Sequence, residues 1–253
     1  MKLAIISDLH SNREALEAVF ADVRRRGVTD LVCLGDVIGY GPDPEFCVDL
    51  VRGHAQWCLM GNHDEALFRD ASDFNPHARG AIDYTRRRML PHWWSSSEKK
   101  ARWKWLRHLP LRMTEGRFLF VHGSPRDPVR EYVLSTDGIL NPDKLRAILS
   151  LVDSIGVAGH THQPGIHYED LSWKGLNGAG TLTVKLPENG KCFINVGSTG
   201  QPRDGDPRAC YAILEEDQVT WHRVNYHFQS TQEKITRTGV LSEILARRLA
   251  VGK

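Results

Sequence analysis

Five times along this chain a short apolar run gives way to a polar cluster built from Asp, His and Gly. "KLAIIS" runs into Asp8-Leu9-His10, "TDLVCLGD" ends on Gly35-Asp36, and "AQWCLMGNHD" ends on Gly61-Asn62-His63-Asp64. "RFLFVHGSP" carries His122-Gly123, and "IGVAGHTHQP" carries Gly159-His160-Thr161-His162. Short continuous apolar runs with β-branched residues read as buried strands. A buried strand seldom stops on an Asp or His without a use for it, so the fold must gather these strand ends at one edge.

The segments between the runs say which edge. "NREALEAVFADVRRRG" sets Ala15, Leu16, Val19, Phe20 and Val23 on one helical face, with Gly27 just beyond the end as a C-cap. A short helix around Glu45 to Val51 precedes the third run. The order β-α-β-α-β predicts parallel pairing, and in open α/β sheets ligands bind at the carboxyl edge of the strands. Residues 65–115 differ: Trp93, Trp94, Trp103 and Trp105 mix with Arg86 to Arg88, Lys99, Lys100 and Arg102. There Ser95 and Glu98 stand at capping-box spacing, which predicts a helix start, and this stretch reads as a helical insert. A helix near Asn141 to Val152 follows. From about Gly165 short strands dominate, the pair flanking "EDQ" reading as an antiparallel hairpin, and an amphipathic helix spans Val240 to Leu249. One domain over 1–253 is expected.

The clusters supply carboxylates, imidazoles and one amide, with no thiolate. Such a set suits Mn²⁺, Fe or Zn²⁺ better than a soft-metal site. The five cysteines (Cys33, Cys47, Cys58, Cys192, Cys210) are scattered and form no CxxC pair, which points to a reducing compartment. The apolar run after Lys2 is too short for a signal-peptide core and no later run could span a bilayer, so a cytoplasmic protein is expected. A net charge of +2 gives no strong field to recruit nucleic acid or membrane, and no stable nucleic-acid complex is expected.

Taken in order over residues 8–162, the clusters resemble the signature of the calcineurin-like metallophosphoesterase superfamily: D-x-H, G-D, G-N-H-D, H-G and G-H-x-H. "GDVIGYGPDP", "HGSP", "GHTHQP" and "NVGSTGQPRDGDPRACYAIL" are similar to its compact bacterial branch, in which Pro often stands where this chain has Val196. The resemblance implies a four-layer α/β/β/α sandwich with two mixed β-sheets. It implies two divalent metal ions bridged by Asp36, the first also held by Asp8, His10 and His162, the second by Asn62, His122 and His160. Manganese is the first expectation, with Fe, Zn and Ni as alternatives. It further implies hydrolysis of a small phosphate-ester or nucleotide substrate, phosphodiesters first, by in-line attack of a metal-bridging hydroxide. His63 would serve the leaving oxygen and Asp64 would orient the His63 ring. Asn12 and Arg203 are the expected substrate contacts.

Alternatives stay open on the residues alone. The same metal chemistry would serve a phosphomonoesterase, a protein phosphatase or a dinucleoside polyphosphate hydrolase, because specificity lies in loops and the insert. A non-catalytic binding or scaffold protein on the same fold is a second class, and a nucleic-acid-binding protein using the Trp and Arg residues of the insert is a third, against which the near-neutral net charge counts. A single Asp-x-His or Gly-Asp is weak evidence, and the other histidines (His54, His77, His92, His108, His167, His222, His227) are expected at surface or ordinary core positions. The insert tryptophans are expected mostly in the core, and Arg86 to Arg88 on a solvated face. Arg203 has an alternative partner in Asp204 or Asp206, and Ser124 and Arg126 carry the same ambiguity.

Overall fold

The computed structural model describes residues 2–253. Strand β1 (Lys2–Ile6) leads into α1 (Arg13–Arg25), and β2 (Asp30–Cys33) into α2 (Pro44–His54). The short α3 (Asn62–Ala66) is followed by α4 (Pro76–Met89) and α5 (Ser97–Arg107). Next come β3 (Arg112–Glu115), β4 (Phe118–Val121), α6 (Asp137–Leu140), α7 (Pro142–Ser150) and β5 (Ile155–Ala158). Then β6 (Gly165–Tyr168), β7 (Trp173–Gly175), β8 (Thr181–Lys185) and β9 (Cys192–Asn195) precede the hairpin β10 (Ala209–Glu215) and β11 (Gln218–Val224). Helices α8 (Phe228–Arg237) and α9 (Glu243–Val251) finish the chain.

Two mixed sheets result, in the orders β2-β1-β10-β11-β8 and β3-β4-β5-β9-β6-β7. β1 pairs with β2 in parallel, Ile6 opposite Cys33, so the Asp8 and Asp36 loops leave the sheet side by side. β4, β5 and β9 run parallel in the other sheet and deliver His122 and the His160 loop to the same edge. Alternating side chains give each sheet two apolar faces. Leu3, Ile5, Val32, Phe120, Val157, Ile194 and Trp221 fill the space between the sheets. The outer face of the first sheet packs on α1 and α2 through Leu16, Val19, Phe20, Val48 and Val51. The outer face of the second packs on α7 through Leu145, Ile148 and Leu149. This is the four-layer α/β/β/α sandwich.

Some local expectations need correcting. The run at 56–60 is no regular strand: it touches β2 through a single parallel bridge, Cys33 to Cys58. Leu59 N still donates to Cys33 O at 2.9 Å, and Met60 N–H, on the opposite side of the segment, donates to Pro110 O at 2.8 Å. Helix α5 is capped by Ser96, whose hydroxyl accepts from Lys99 N, while Ser95 accepts from His92 N. In the insert, Arg86 donates to the carbonyls of Ala66, Leu67 and Arg69, and Arg88 to Pro42 O and Glu45. These two guanidinia fasten α4 to the body; Arg87 and Arg88 lie on the exposed face as expected, and Arg86 is half-buried. Ala78 and Ala81 of α4 pack on Ile235, Leu245 and Leu249 of α8 and α9. Trp103 and Trp105 lie half-buried against the core, whereas Trp93 and Trp94 are exposed.

One hydrogen bond joins the sheets near the site. The fully buried Trp221 of β11 donates Nε1–H to Asn195 O of β9 at 2.8 Å. The Asn195 amide in turn donates to Gly159 O at 2.5 Å and Thr161 Oγ1 at 2.8 Å. Replacing Trp221→Phe orphans a buried carbonyl and leaves a void, which should cost about 1–3 kcal/mol. Urea unfolding should show the midpoint falling with an unchanged slope; an unaltered midpoint would remove this bond from the account.

Candidate metal centre

Backbone bonds zip the first two loops together before any side chain is considered. Asp8 N donates to Gly35 O, Leu9 N and His10 N both to Asp36 O, and Ser11 N to Val37 O, all at 2.9–3.0 Å. Gly61 approaches so closely that a Cβ there would lie 2.2 Å from Asp36 N and 2.1 Å from its Oδ1. Nine described non-glycine residues have φ in the left-handed region. Seven of them are Asp8, His10, Ser11, Asp36, Tyr40, His160 and His162. Strain of this kind costs on the order of 1–3 kcal/mol per residue and persists only where the surroundings fix it. Here it aims five of the candidate ligands inward.

The donors converge. Asp8, His10 and His162 form one group whose ligand atoms all lie within 4.8 Å of one another, and Asp36, His122 and His160 form another. Asn62 Oδ1 lies 3.3 Å from His122 Nε2. Between the groups stands Asp36, its Oδ2 3.7 Å from His10 Nε2 and 3.5 Å from His122 Nε2. All of these residues are buried.

Each of the four imidazoles gives its outer nitrogen to a backbone carbonyl: His10 Nδ1 to Ile38 O (3.3 Å), His122 Nδ1 to Leu34 O (2.9 Å), His160 Nε2 to Arg130 O (3.0 Å) and His162 Nδ1 to Gln201 O (2.5 Å). A carbonyl only accepts, so these nitrogens carry the protons and a neutral ring turns its lone pair inward. The inward nitrogens then face each other, His10 and His162 at 3.2 Å, His122 and His160 at 3.2 Å. Asp8 Oδ1 has no hydrogen-bond partner and lies 3.1 Å from His162 Nε2. Lone pairs this close in a dry interior require a cation between them, so the set fits divalent ions.

The electrostatics agree. Burial raises the pKa of both carboxyls, but imidazoles overrule it, His162 at Asp8 and His122 at Asp36, and both stay below the usual range. Burial lowers His10 and His162, and drives His160 down to about 3. At His122 burial also lowers the value, yet the Asp36 carboxylate lifts it to about 9.

His63 joins the cluster from the first residues of α3. Its N–H donates to Asp36 Oδ1 at 2.8 Å, and its ring packs against Tyr40, His10 and Phe74 at centroid distances of 4.4, 4.9 and 5.1 Å. Burial holds it down to about 4, so the ring is neutral at pH 7. Asp64 does not touch this ring. Its carboxyl accepts from Val37 N, Ile38 N and Gly61 N, and burial together with Asp36 pushes it up to about 7. The expectation that Asp64 orients His63 is therefore corrected: it ties the Asp36 turn to the Gly61 turn, and ring packing orients His63.

Asn12 is also corrected. It caps α1, accepting from Ala15 N and Thr231 Oγ1 while donating to Gly200 O and Tyr226 Oη, so its amide is fully engaged inside the protein. Arg203 is the opposite case. Asp204 and Asp206 pair with Arg223 and Arg208, and among the described residues the Arg203 guanidinium donates to Tyr40 Oη and Gln201 Oε1 and to no carboxylate. Ser124 and Arg126 both bond Glu131 and hold their own loop. A cavity of about 200 Å³ opens beside the donors, lined by Tyr40, Asn62, His63, Phe74, Tyr132 and His160. Tyr132 stacks on His160 at 3.9 Å. Sequence reading missed Phe74 and Tyr132, which lie in irregular segments with no periodicity; Tyr40 had a signal in "GDVIGYGPDP".

Comparison with known proteins follows the geometry. Residues 1–219 match the calcineurin-like phosphoesterase superfamily domain. The chain is 35% identical over 260 residues to the uncharacterized protein MJ0912 of Methanocaldococcus jannaschii, covering 99% of this chain and 98% of that one. A metallophosphoesterase crystal structure from Sphaerobacter thermophilus superposes with a TM-score of 0.84 at 38% identity, over 100% of both chains. The Pyrococcus horikoshii protein PH1004 shares the fold at 17% identity, with a TM-score of 0.76 over 100% and 98% of the two chains.

Two outcomes are expected. Gly61→Ala should displace the Asp36 carboxylate and release at least half of the bound metal by elemental analysis; unchanged content would refute the contact's importance. Chelation should lower the Tm, and divalent metal at about 100 times its Kd should restore about 2.7 kcal/mol.

Proposed function

The chain belongs to the calcineurin-like phosphoesterase superfamily, and on that footing we propose that it hydrolyses phosphodiesters with two divalent ions. The first ion would be held by Asp8, His10, His162 and Asp36, the second by Asp36, Asn62, His122 and His160, with Mn²⁺ the first choice from ligand hardness. What carries this reading is the pair of donor groups with Asp36 between them, their lone pairs turned inward by four backbone carbonyls. Bound ions would supply an acidified water and neutralise charge on the phosphoryl oxygens.

The protein's own groups do the rest. His63, neutral and unpartnered at Nδ1, borders the cavity and presents its ring to the leaving oxygen as a hydrogen-bond donor. Arg203, with no carboxylate partner among the described residues, offers a guanidinium to a non-bridging phosphate oxygen. Tyr40, Phe74 and Tyr132 wall one part of the cavity and Arg69, Asp73, Asn75 and Arg130 another, and together they leave room for one organic substituent on the phosphate. Room for such a substituent supports the preference for diesters over monoesters.

The test is steady-state hydrolysis of bis(p-nitrophenyl) phosphate against p-nitrophenyl phosphate, with chelated protein reloaded with Mn²⁺, Fe²⁺, Ni²⁺ or Zn²⁺. The diester should be the better substrate. His63→Ala should lower kcat by about 10²–10⁴-fold with metal retained, and Arg203→Ala should act mainly on KM. A faster monoester would reject the diester preference, and no activity with any bound metal would reject the enzyme.

A further inference from the structure

The basic, tryptophan-bearing side of the insert lies outside the site just described. Trp93 and Trp94 are 84% and 67% exposed on the loop between α4 and α5, beside the exposed Leu90. Trp94 stacks on His92 at 4.8 Å with planes 9° apart, and Trp93 meets Trp94 edge-on at 5.4 Å. Lys100 Nζ donates to Trp93 O at 2.7 Å, which sets this loop against the start of α5. One face of α5, with Ala101, Lys104 and Trp105, and His108 just past its end then border a groove of about 430 Å³ floored by Trp57 and Leu109. From Lys100 to Arg107 the helix runs about 10 Å.

The charge on this side is uncompensated. Around α5, Glu98 is paired with Arg52 and Asp49 with Arg102. Among the described residues, Lys99, Lys100, Lys104 and Arg107 have no such partner, and all but Lys99 are exposed. Glu115 meets the groove by accepting from Trp57 Nε1 at 2.6 Å. Exposed indoles interleaved with free cations along a groove are what a single strand uses, its bases stacking on rings and its backbone following the charges. A bilayer could bury the Trp93–Trp94 tip but would not reach the Trp57 and Trp105 rings in the groove. A two-fold contact with a second copy would set these cations against their own images.

We propose that this face binds single-stranded nucleic acid, at a site separate from the metal centre. The net charge of +2 counts against recruitment by the molecule as a whole, but Lys100, Lys104 and Arg107 are exposed together on one side of α5, and locality decides a short contact. Nothing in the proposal depends on which phosphate ester the metal centre cleaves.

The test is fluorescence anisotropy of a fluorescein-labelled thymidylate 12-mer with the full-length protein from 50 to 300 mM NaCl, the probe checked for intactness afterwards. Three phosphate contacts predict a slope of log K against log salt near about −2. Trp93→Ser/Trp94→Ser should weaken binding about tenfold or more and remove the quenching of tryptophan fluorescence. Lys100→Glu/Lys104→Glu should reduce the slope by about 1.4. These side chains are surface groups, so hydrolysis by both variants should match the parent and confirm their fold. No salt-dependent binding, or binding that both variants keep, overturns the proposal. Equal affinity for a duplex of the same length overturns the stacking role. Capture by phosphatidylglycerol vesicles instead, or dimerisation abolished by the tryptophan variant, assigns the face to another partner and overturns it as well.

Discussion

Two carboxylates brought together in a dry interior are the constraint on which this structure turns. Asp8 and Asp36 sit at 0% and 1% exposure, and burial alone would drive both toward their neutral forms. What keeps them ionised is the ring of imidazoles, and what keeps the imidazoles there is backbone. Loop carbonyls fix each ring's outer proton, left-handed residues bend the loops inward, and the paired parallel strands bring the loops to one edge. Remove the carboxylates and none of that strain would have a purpose.

The framework was readable because strands and helices announce themselves by pattern. β1, α1, β2, α7, β5 and the β10–β11 hairpin follow from apolar runs and 3.6-residue spacing in the sequence, and the clusters follow from where those runs stop. The misreadings have a common physical source, which is competition among nearby hydrogen-bonding groups. "AQWCLMGNHD" has the composition of a strand, but its backbone is shared between Cys33 on one side and Pro110 on the other, and it keeps a single bridge to β2. Two adjacent serines could each cap α5, and the one whose hydroxyl reaches Lys99 N does so. Asp64 follows His63 in sequence, yet three backbone N–H groups outbid the neighbouring ring for its carboxyl. Asn12 stands next to the cluster and is claimed by a helix terminus. Pattern locates elements; it does not say which of several local partners a polar side chain will choose.

The insert shows the same limit at larger scale. Its charge and tryptophan content read as a single feature, but the structure divides it in two. Arg86, Arg88, Trp103 and Trp105 tie α4 and α5 to the core, and through Ala78 and Ala81 the insert also meets the C-terminal helices. Trp93, Trp94 and the lysines of α5 are left outside. A segment that buries one half of its apolar residues and displays the other is anchored and outward-facing at once, and from the composition alone these halves are indistinguishable.

The four carbonyls that hold the imidazole protons come from Leu34, Ile38, Arg130 and Gln201. The last of these lies beyond β9, late in the chain, and it fixes a ring that faces Asp8 near the beginning. A growing polypeptide therefore has no complete coordination pocket until both sheets have closed on each other. The complete donor set is thus a property of the closed pair of sheets and of no single segment of the chain.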